Sequence, residues 1–277
     1  MVKPAFKLSL IILWVLVCFP FLLAAHLLGN IKMRDRMLQR GSSGIMNIMG
    51  VKLAVYGKLS EQRPLLVVSN HLSYMDIILL SSCGHFRFTP KSEIAKWPFI
   101  GYLCRIADCV FVERKPGKVK ETSNTIHQAL ERGDVVSIFP EATTGSGVHV
   151  LPFKSSFFNL AERQYTPGPL HIQPVAMTYT QVSNLPVDHR LWPQIAWVGD
   201  DELLPHLWNF LSLSPVQAEL HFLPPITQQG FTDRKALAVH SQKQIEECLD
   251  KIRAREYGPK KVQNPSAAFS LLKGKTK

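Results

Sequence analysis

Residues 65–80 read LLVVSNHLSYMDIILL. A short apolar run rich in β-branched residues, Leu65 to Val68, breaks off at Ser69-Asn70, and a second apolar run starts at Ile77. The pattern predicts a buried strand, a turn and then a helix carrying Ile77 to Leu80. In the turn stand a histidine and an aspartate, His71 and Asp76. In one continuous helix a spacing of five residues would turn their side chains about 140° apart, so they could not face one site. A helix that starts between them removes that obstacle. Two readings of the stretch remain open. In one, Ser73 is an N-cap and Asp76 completes a capping box, which accounts for Asp76 and leaves His71 without a role. In the other, the Asp76 carboxylate in the first helical turn accepts from one imidazole nitrogen of His71. That bond would fix the tautomer and make the other nitrogen a positioned general base.

The strand-turn-helix texture extends outward from this stretch. Further β-rich runs are FRFTP (86–90), CVFVE (109–113), DVVSIFP (134–140), IQPVAMTY (172–179), QIAWVG (194–199) and VQAELHFL (216–223). Between Val112 and Val135, apolar residues at Val119, Ile126, Ala129 and Leu130 and a closing Gly133 mark a crossover helix, so its flanking strands are expected to be parallel. The fold class that follows is α/β: a mixed, largely parallel sheet flanked by helices.

The N-terminal end is different. Leu8 to Leu28 is a 21-residue run without a charged side chain, long enough as a helix to cover about 30 Å of hydrocarbon. It exceeds the h-region of a secretory signal, and no A-x-A site follows it. A hydrophobic membrane-anchoring helical segment is the expectation. Lys32, Arg34, Arg36 and Arg40 outnumber Lys3 and Lys7 across it, which places the downstream side in the cytoplasm. Pro20 would allow a re-entrant path as well as a spanning one. Gly41-Ser42-Ser43-Gly44 reads as a hinge. The chain therefore divides into an anchor with a basic juxtamembrane segment (1–44), a catalytic domain (45–257) and a basic, loose tail (258–277).

Thirty-two Lys and Arg against 21 Asp and Glu give a formal charge of +11. Such a charge suits nucleic acid or an anionic bilayer, and the apolar head of the chain favours the bilayer. The basic residues are scattered rather than set in a nucleic-acid-binding motif, so no nucleic acid is expected as partner. Five cysteines without a CxxC pair suggest neither a disulfide framework nor a zinc site.

The stretch NHLSYMD resembles the NHxxxxD motif of the glycerolipid acyltransferases of the bacterial lysophosphatidic acid acyltransferase type. Three more blocks are similar to that family's and follow in its order. KSEIAKWPFIGYLCRIADCVFVER (91–114) resembles the second block, FPEATTGSG (139–147) the FPEGTRS block, and LPFKSSFFNLA with IQPVAMTY the PFKxGxxxLA and xPVxxxY segments. The likeness covers residues 50–180. It implies that His71 and Asp76 are catalytic and that Lys91, Arg114, Glu141, Thr143 and Lys154 bind substrate. It implies no metal and no cofactor beyond acyl-CoA or acyl-carrier protein as co-substrate. The implied reaction moves a fatty acyl group to the sn-2 hydroxyl of 1-acyl-glycerol-3-phosphate, a membrane lipid acceptor, with the enzyme on the inner membrane and its catalytic domain facing the cytoplasm.

Three departures from the family pattern stand out. Ala142 replaces a glycine, Thr144 an arginine, and Asp108 the glycine before VFVER. Without the Thr144-position arginine, Arg114 is the leading candidate phosphate contact, since a guanidinium presents paired donors. The TTGSG variant also resembles the branch that acylates lyso-ornithine lipid, whose amino-acid head group carries no phosphate, and that acceptor stands as the alternative. A non-catalytic membrane adaptor retaining the fold ranks behind both.

Overall fold

The structure, a computed structural model, describes residues 3–113, 119–188, 190–199 and 201–254. Arg114 and the tail at 258–277 lie outside the described residues.

Among the described residues, seven strands form one sheet: β1 (Val51–Tyr56), β2 (Leu65–Ser69), β3 (Arg87–Phe88), β4 (Val135–Ile138), β5 (His171–Val182), β6 (Leu185–Pro186) and β7 (Val216–Phe222). Their order is β1-β7-β5-β2-β4-β3, with β6 beside β5. β2 runs parallel to both β4 and β5, β3 parallel to β4, and β1 parallel to β7, while β5 meets β7 and β6 antiparallel. The sheet is thus mixed and largely parallel.

Because β2 is covered on both faces, it is an unbroken apolar run rather than an alternating one. Leu66 and Val68 face a core shared with Ile126 and Leu130 of α5 (Val119–Glu131) and Leu237 and Ile245 of α8 (Arg234–Arg253). Leu65 and Val67 face the other way, toward Leu80 of α3 (Met75–Cys83). The result is three layers with the sheet in the middle.

The N-terminal segment forms a packed helical hairpin. α1 (Pro4–Leu27) runs unbroken through Pro20, and α2 (Ile31–Met49) starts at Asn30, whose side chain accepts from the N–H of Met33 at 3.0 Å. The hinge expected at Gly41 to Gly44 is not one: those residues lie inside α2. Their small size serves close approach instead. A Cβ on Gly44 would overlap the Trp14 indole, and the Trp14 Nε1–H donates to the Gly41 carbonyl at 3.1 Å. At the start of α1 the buried Lys7 Nζ donates to Met49 O at 2.8 Å and Leu211 O at 2.9 Å. It thereby holds the last turns of α2 and of α7 (Leu203–Ser212), where backbone carbonyls lack helical partners. Toward the other end Phe19 packs on Phe99 and Tyr102, with ring centroids 5.4 Å and 6.1 Å apart. The opposite face of α1 leaves Phe6, Leu13, Leu16 and Phe21 exposed.

Two of the expected strands take other forms. QIAWVG is not a strand: Trp192–Ile195 is a short helix, α6, with Pro193 in its first turn. Ile195 and Ala196 are both buried. CVFVE makes only one bridge, Lys91 with Val112, parallel in sense. The strand β1 has no counterpart in the sequence reading. Arg34, counted above among the cytoplasmic charges, is buried and paired with Asp108 at 2.5 Å, tying α2 to the loop before VFVER.

Candidate active site

Parallel neighbours deliver their following loops to the same edge of a sheet. The register Val68 with Ile138 therefore sets the turn after β2 beside the loop after β4, at the carboxyl ends where open α/β sheets place their ligands. Asn70 fixes the turn from below: its side chain donates to Met177 O and accepts from Met177 N–H, both at 2.9 Å, bridging to β5.

His71 and Asp76 meet. Nδ1 of His71 lies 2.7 Å from Oδ2 of Asp76. The same oxygen accepts from the N–H groups of Leu72 at 2.6 Å and Ser73 at 2.9 Å, while Ser73 Oγ accepts from Met75 N–H at 3.1 Å. The helix-cap reading and the base-orienting reading thus both describe Asp76. One fully buried carboxylate oxygen starts α3 and orients the imidazole. With Nδ1–H donated to Asp76, the lone pair of His71 sits on Nε2. The imidazole is partly accessible, 18 % exposed, and stacks on Phe139 with ring centroids 4.0 Å apart and planes 12° from parallel.

Glu141 holds the backbone of His71 from the β4 loop. Its Oε1 accepts from His71 N–H at 2.8 Å and its Oε2 from Leu151 N–H at 3.0 Å. In return the His71 carbonyl accepts from Gly145 N–H at 2.7 Å. Burial pushes the Glu141 carboxyl up to about 7, against the opposing effect of its two N–H donors.

A strap from the C-terminal half crosses the turn. Trp197 N–H donates to Leu72 O at 2.9 Å, and Tyr74 packs its ring edge on Trp197. The Tyr74 hydroxyl lies 3.1 Å from Nδ1 of the buried His206, whose Nε2 lies 3.1 Å from Ala196 O. The sequence reading took residues 194–199 of this strap for a strand and did not foresee its packing over the turn.

A family model described as Acyltransferase matches residues 52–178. The lyso-ornithine lipid O-acyltransferase of Brucella abortus is 37% identical over 209 residues, 74% of this chain and 78% of that protein. The chain belongs to the glycerolipid acyltransferase family. The 1-acyl-sn-glycerol-3-phosphate acyltransferase of Neisseria gonorrhoeae is 29% identical over 212 residues, covering 76% of this chain and 79% of its own. Among solved structures, the 1-acyl-sn-glycerophosphate (LPA) acyltransferase PlsC from Thermotoga maritima superposes with a TM-score of 0.68. That match spans 92% of this chain and 99% of the other at 20% identity, which shows a shared fold.

Seen as an acyltransferase, the chain's departures acquire physical reasons. Both glycine replacements sit at left-handed backbone: Ala142 has φ 62° and Asp108 has φ 52°. Aspartate tolerates this region better than most residues, and the Asp108 carboxylate pairs with Arg34 and, at 3.1 Å, with Arg87. Thr144, at the arginine position, donates its hydroxyl to the Trp197 carbonyl, so the position is committed to the strap.

The remaining residues implied by the resemblance are spread along the same sheet edge. Lys91 follows β3 and is exposed, Thr143 is exposed beside Glu141, and Lys154 is exposed with its N–H donating to Pro140 O at 3.0 Å. Arg114 belongs to the undescribed residues.

Proposed function

We propose that this acyltransferase esterifies the free hydroxyl of lyso-ornithine lipid with a fatty acyl group from an acyl-CoA or acyl-carrier-protein thioester. Nε2 of His71 takes the hydroxyl proton, and the oxygen attacks the thioester carbonyl. The C–S bond then breaks, and the imidazolium returns its proton to the departing thiolate. Asp76 stabilises the imidazolium without itself being protonated. The bond between His71 and Asp76 supports the choice of base.

The acceptor rests on one observation. At the position where the family motif has arginine, Thr144 turns its hydroxyl to the Trp197 backbone, so that position offers a phosphate no guanidinium. The name borne by the Brucella relative points the same way. Acylation of 1-acyl-glycerol-3-phosphate is the second reading, favoured by the exposed Lys91 and Lys154 along the same sheet edge.

The reaction joins a lipid acceptor to a water-soluble donor. The exposed apolar face of α1 would rest in the inner membrane, with the catalytic domain on its cytoplasmic side. Because α1 is tied to the domain at Lys7 and again at Phe19, the geometry favours a helix lying in one leaflet over one that crosses both. The test offers the purified chain equal amounts of lyso-ornithine lipid and 1-acyl-glycerol-3-phosphate with acyl-CoA or acyl-carrier protein. Diacylated ornithine lipid as the main product is expected. Phosphatidic acid as the main product would overturn the acceptor assignment.

A further inference from the structure

The cysteines are scattered along the sequence, yet folding brings two of them together at the end of one short helix. After α4 (Ile100–Ile106) the chain passes the cap residue Ala107 and turns through Asp108 in left-handed backbone, φ 52°. Two backbone bonds close over this turn: Asp108 N–H donates to Arg105 O at 3.0 Å and Cys109 N–H to Cys104 O at 2.9 Å. Such a double closure lays the side chain beyond the turn against one in the last turn of the helix. Apolar residues commonly make that contact, and here both positions are cysteine. The thiols touch, with Cys109 S–H donating to the Cys104 sulfur.

This contact gives the two sulfurs different chemistry. Donation from Cys109 holds the Cys104 thiol below the ordinary range against the effect of burial, and the Arg105 charge acts in the same direction. The same bond and burial push Cys109 up. Burial also raises Cys18 and takes Cys83 to about 12, while Cys248 is buried. Cys104 is only half-buried. Thiolate character and access therefore coincide at Cys104, with a second thiol in reach.

We propose that Cys104 and Cys109 form a reversible redox-modification site, a dithiol that a hydroperoxide converts into an intramolecular disulfide. The Cys104 thiolate attacks one peroxide oxygen, the O–O bond breaks, and the hydroxide released is protonated to water, leaving a sulfenic acid. The Cys109 sulfur then attacks the sulfenic sulfur. The S–S bond forms as the S–O bond breaks, and the Cys109 proton leaves with the hydroxide as water. Two thiols are oxidised by two electrons, and one hydrogen peroxide is reduced to two waters. An external dithiol reverses the step by exchange. The site is independent of which lipid is acylated.

Bond formation draws the sulfurs from contact to about 2.05 Å, so one side must move. Cys109 is held on the sheet: Val110 N–H donates to Phe88 O at 2.8 Å, Val112 N–H to Pro90 O at 2.9 Å, and Cys109 packs on the core around Phe86 and Phe88. By contrast, α4 is seven residues long, and its Tyr102 and capping residue Phe99 rest on Phe19 of α1. The last turn of α4 therefore yields, and oxidation is felt where α4 meets α1.

The test maps thiols in the full-length chain in detergent. Trypsin cuts after Lys96, Arg105 and Arg114, so the two cysteines fall on separate peptides, 97–105 and 106–114. After brief exposure to hydrogen peroxide and then alkylation, the wild type should yield these two peptides joined, with Cys18, Cys83 and Cys248 alkylated. Dithiothreitol should separate them. Joining should run at least about tenfold faster than oxidation of Cys18 or Cys83. In Cys109→Ser, dimedone should trap a sulfenic acid at Cys104, and in Cys104→Ser, Cys109 should stay reduced. Amide exchange at residues 100–107 should slow in the oxidised wild type and not in peroxide-treated Cys109→Ser. Oxidation of the pair no faster than of the other cysteines, or sulfinic acid at Cys104 without a joined peptide, would overturn the site. A disulfide with unchanged exchange in α4 would overturn its coupling to that helix.

Discussion

Oε1 of Glu141 accepts the backbone N–H of His71 at 2.8 Å, so the third motif holds the first through the main chain rather than through the imidazole. The carboxylate bridges to Leu151 with its other oxygen and is 4 % exposed. Glutamine offers one acceptor, so in Glu141→Gln an amide N–H would face a backbone N–H. Displacement of His71 by a fraction of an ångström is expected to lower kcat about 10- to 100-fold, with the protein still folded. Steady-state kinetics beside a circular-dichroism melt checks this.

The same group sets a pH dependence of stability. Burial raises the Glu141 carboxyl to about 7 in the folded protein from 4.5 in the unfolded chain. Between those values the folded state holds the extra proton. Its contribution is therefore fully present below about pH 4.5 and lost as pH rises through about 7. Urea unfolding in detergent between pH 5 and 8 should show stability falling with pH on this account, and the fall should be smaller in Glu141→Gln.

Asp76→Asn separates its two duties. An asparagine Oδ1 can still accept from Leu72 and Ser73 N–H and from His71 Nδ1–H, keeping the start of α3, but it brings no negative charge to stabilise the imidazolium. Loss of about 10³-fold or more in kcat with a change of only a few degrees in Tm is expected. A large fall in Tm with little loss of kcat would mean that Asp76 acts only as a helix cap.

Ala142 occupies left-handed backbone without the freedom of glycine. Such a conformation costs an L-residue about 1–2 kcal/mol, partly offset by the greater unfolded-state entropy of glycine. Ala142→Gly should therefore stabilise the protein by up to about 1 kcal/mol, read from denaturant midpoints.

Lys7→Met removes two donors from buried carbonyls at the ends of α2 and α7. Leaving them unsatisfied should cost about 1–3 kcal/mol each at most. It should also loosen α1, seen as faster proteolysis between residues 27 and 31. Equal digestion of variant and wild type would show that Lys7 does not secure the hairpin.

Much of this arrangement was legible in residues 65–80. Continuous apolar β2, the break at Asn70 and the renewed apolar run of α3 announce a strand-turn-helix unit, and the spacing of His71 and Asp76 points to their contact. The sequence could not show that Gly41 and Gly44 serve helix packing, because the Trp14 that needs the space is about 30 residues away. Nor could it show that Arg34 is a buried ion pair instead of a cytoplasmic charge, since Asp108 reaches it only after folding. QIAWVG carries strand-forming residues, yet its first two residues close the short helix that Trp192 and Pro193 open, and the rest packs as a strap over the turn after β2. Local preference was outweighed there by what the turn after β2 needs to have packed on it.

The central claim is that His71 removes the proton from the acceptor hydroxyl. Its most direct test is the initial rate of diacylated product from His71→Ala, measured by mass spectrometry with saturating thioester and lysolipid. Matched melting and liposome binding would show that the variant is intact. A fall of about 10³-fold or more is predicted. A rate within a few-fold of the wild type would contradict the account, whichever lipid is acylated.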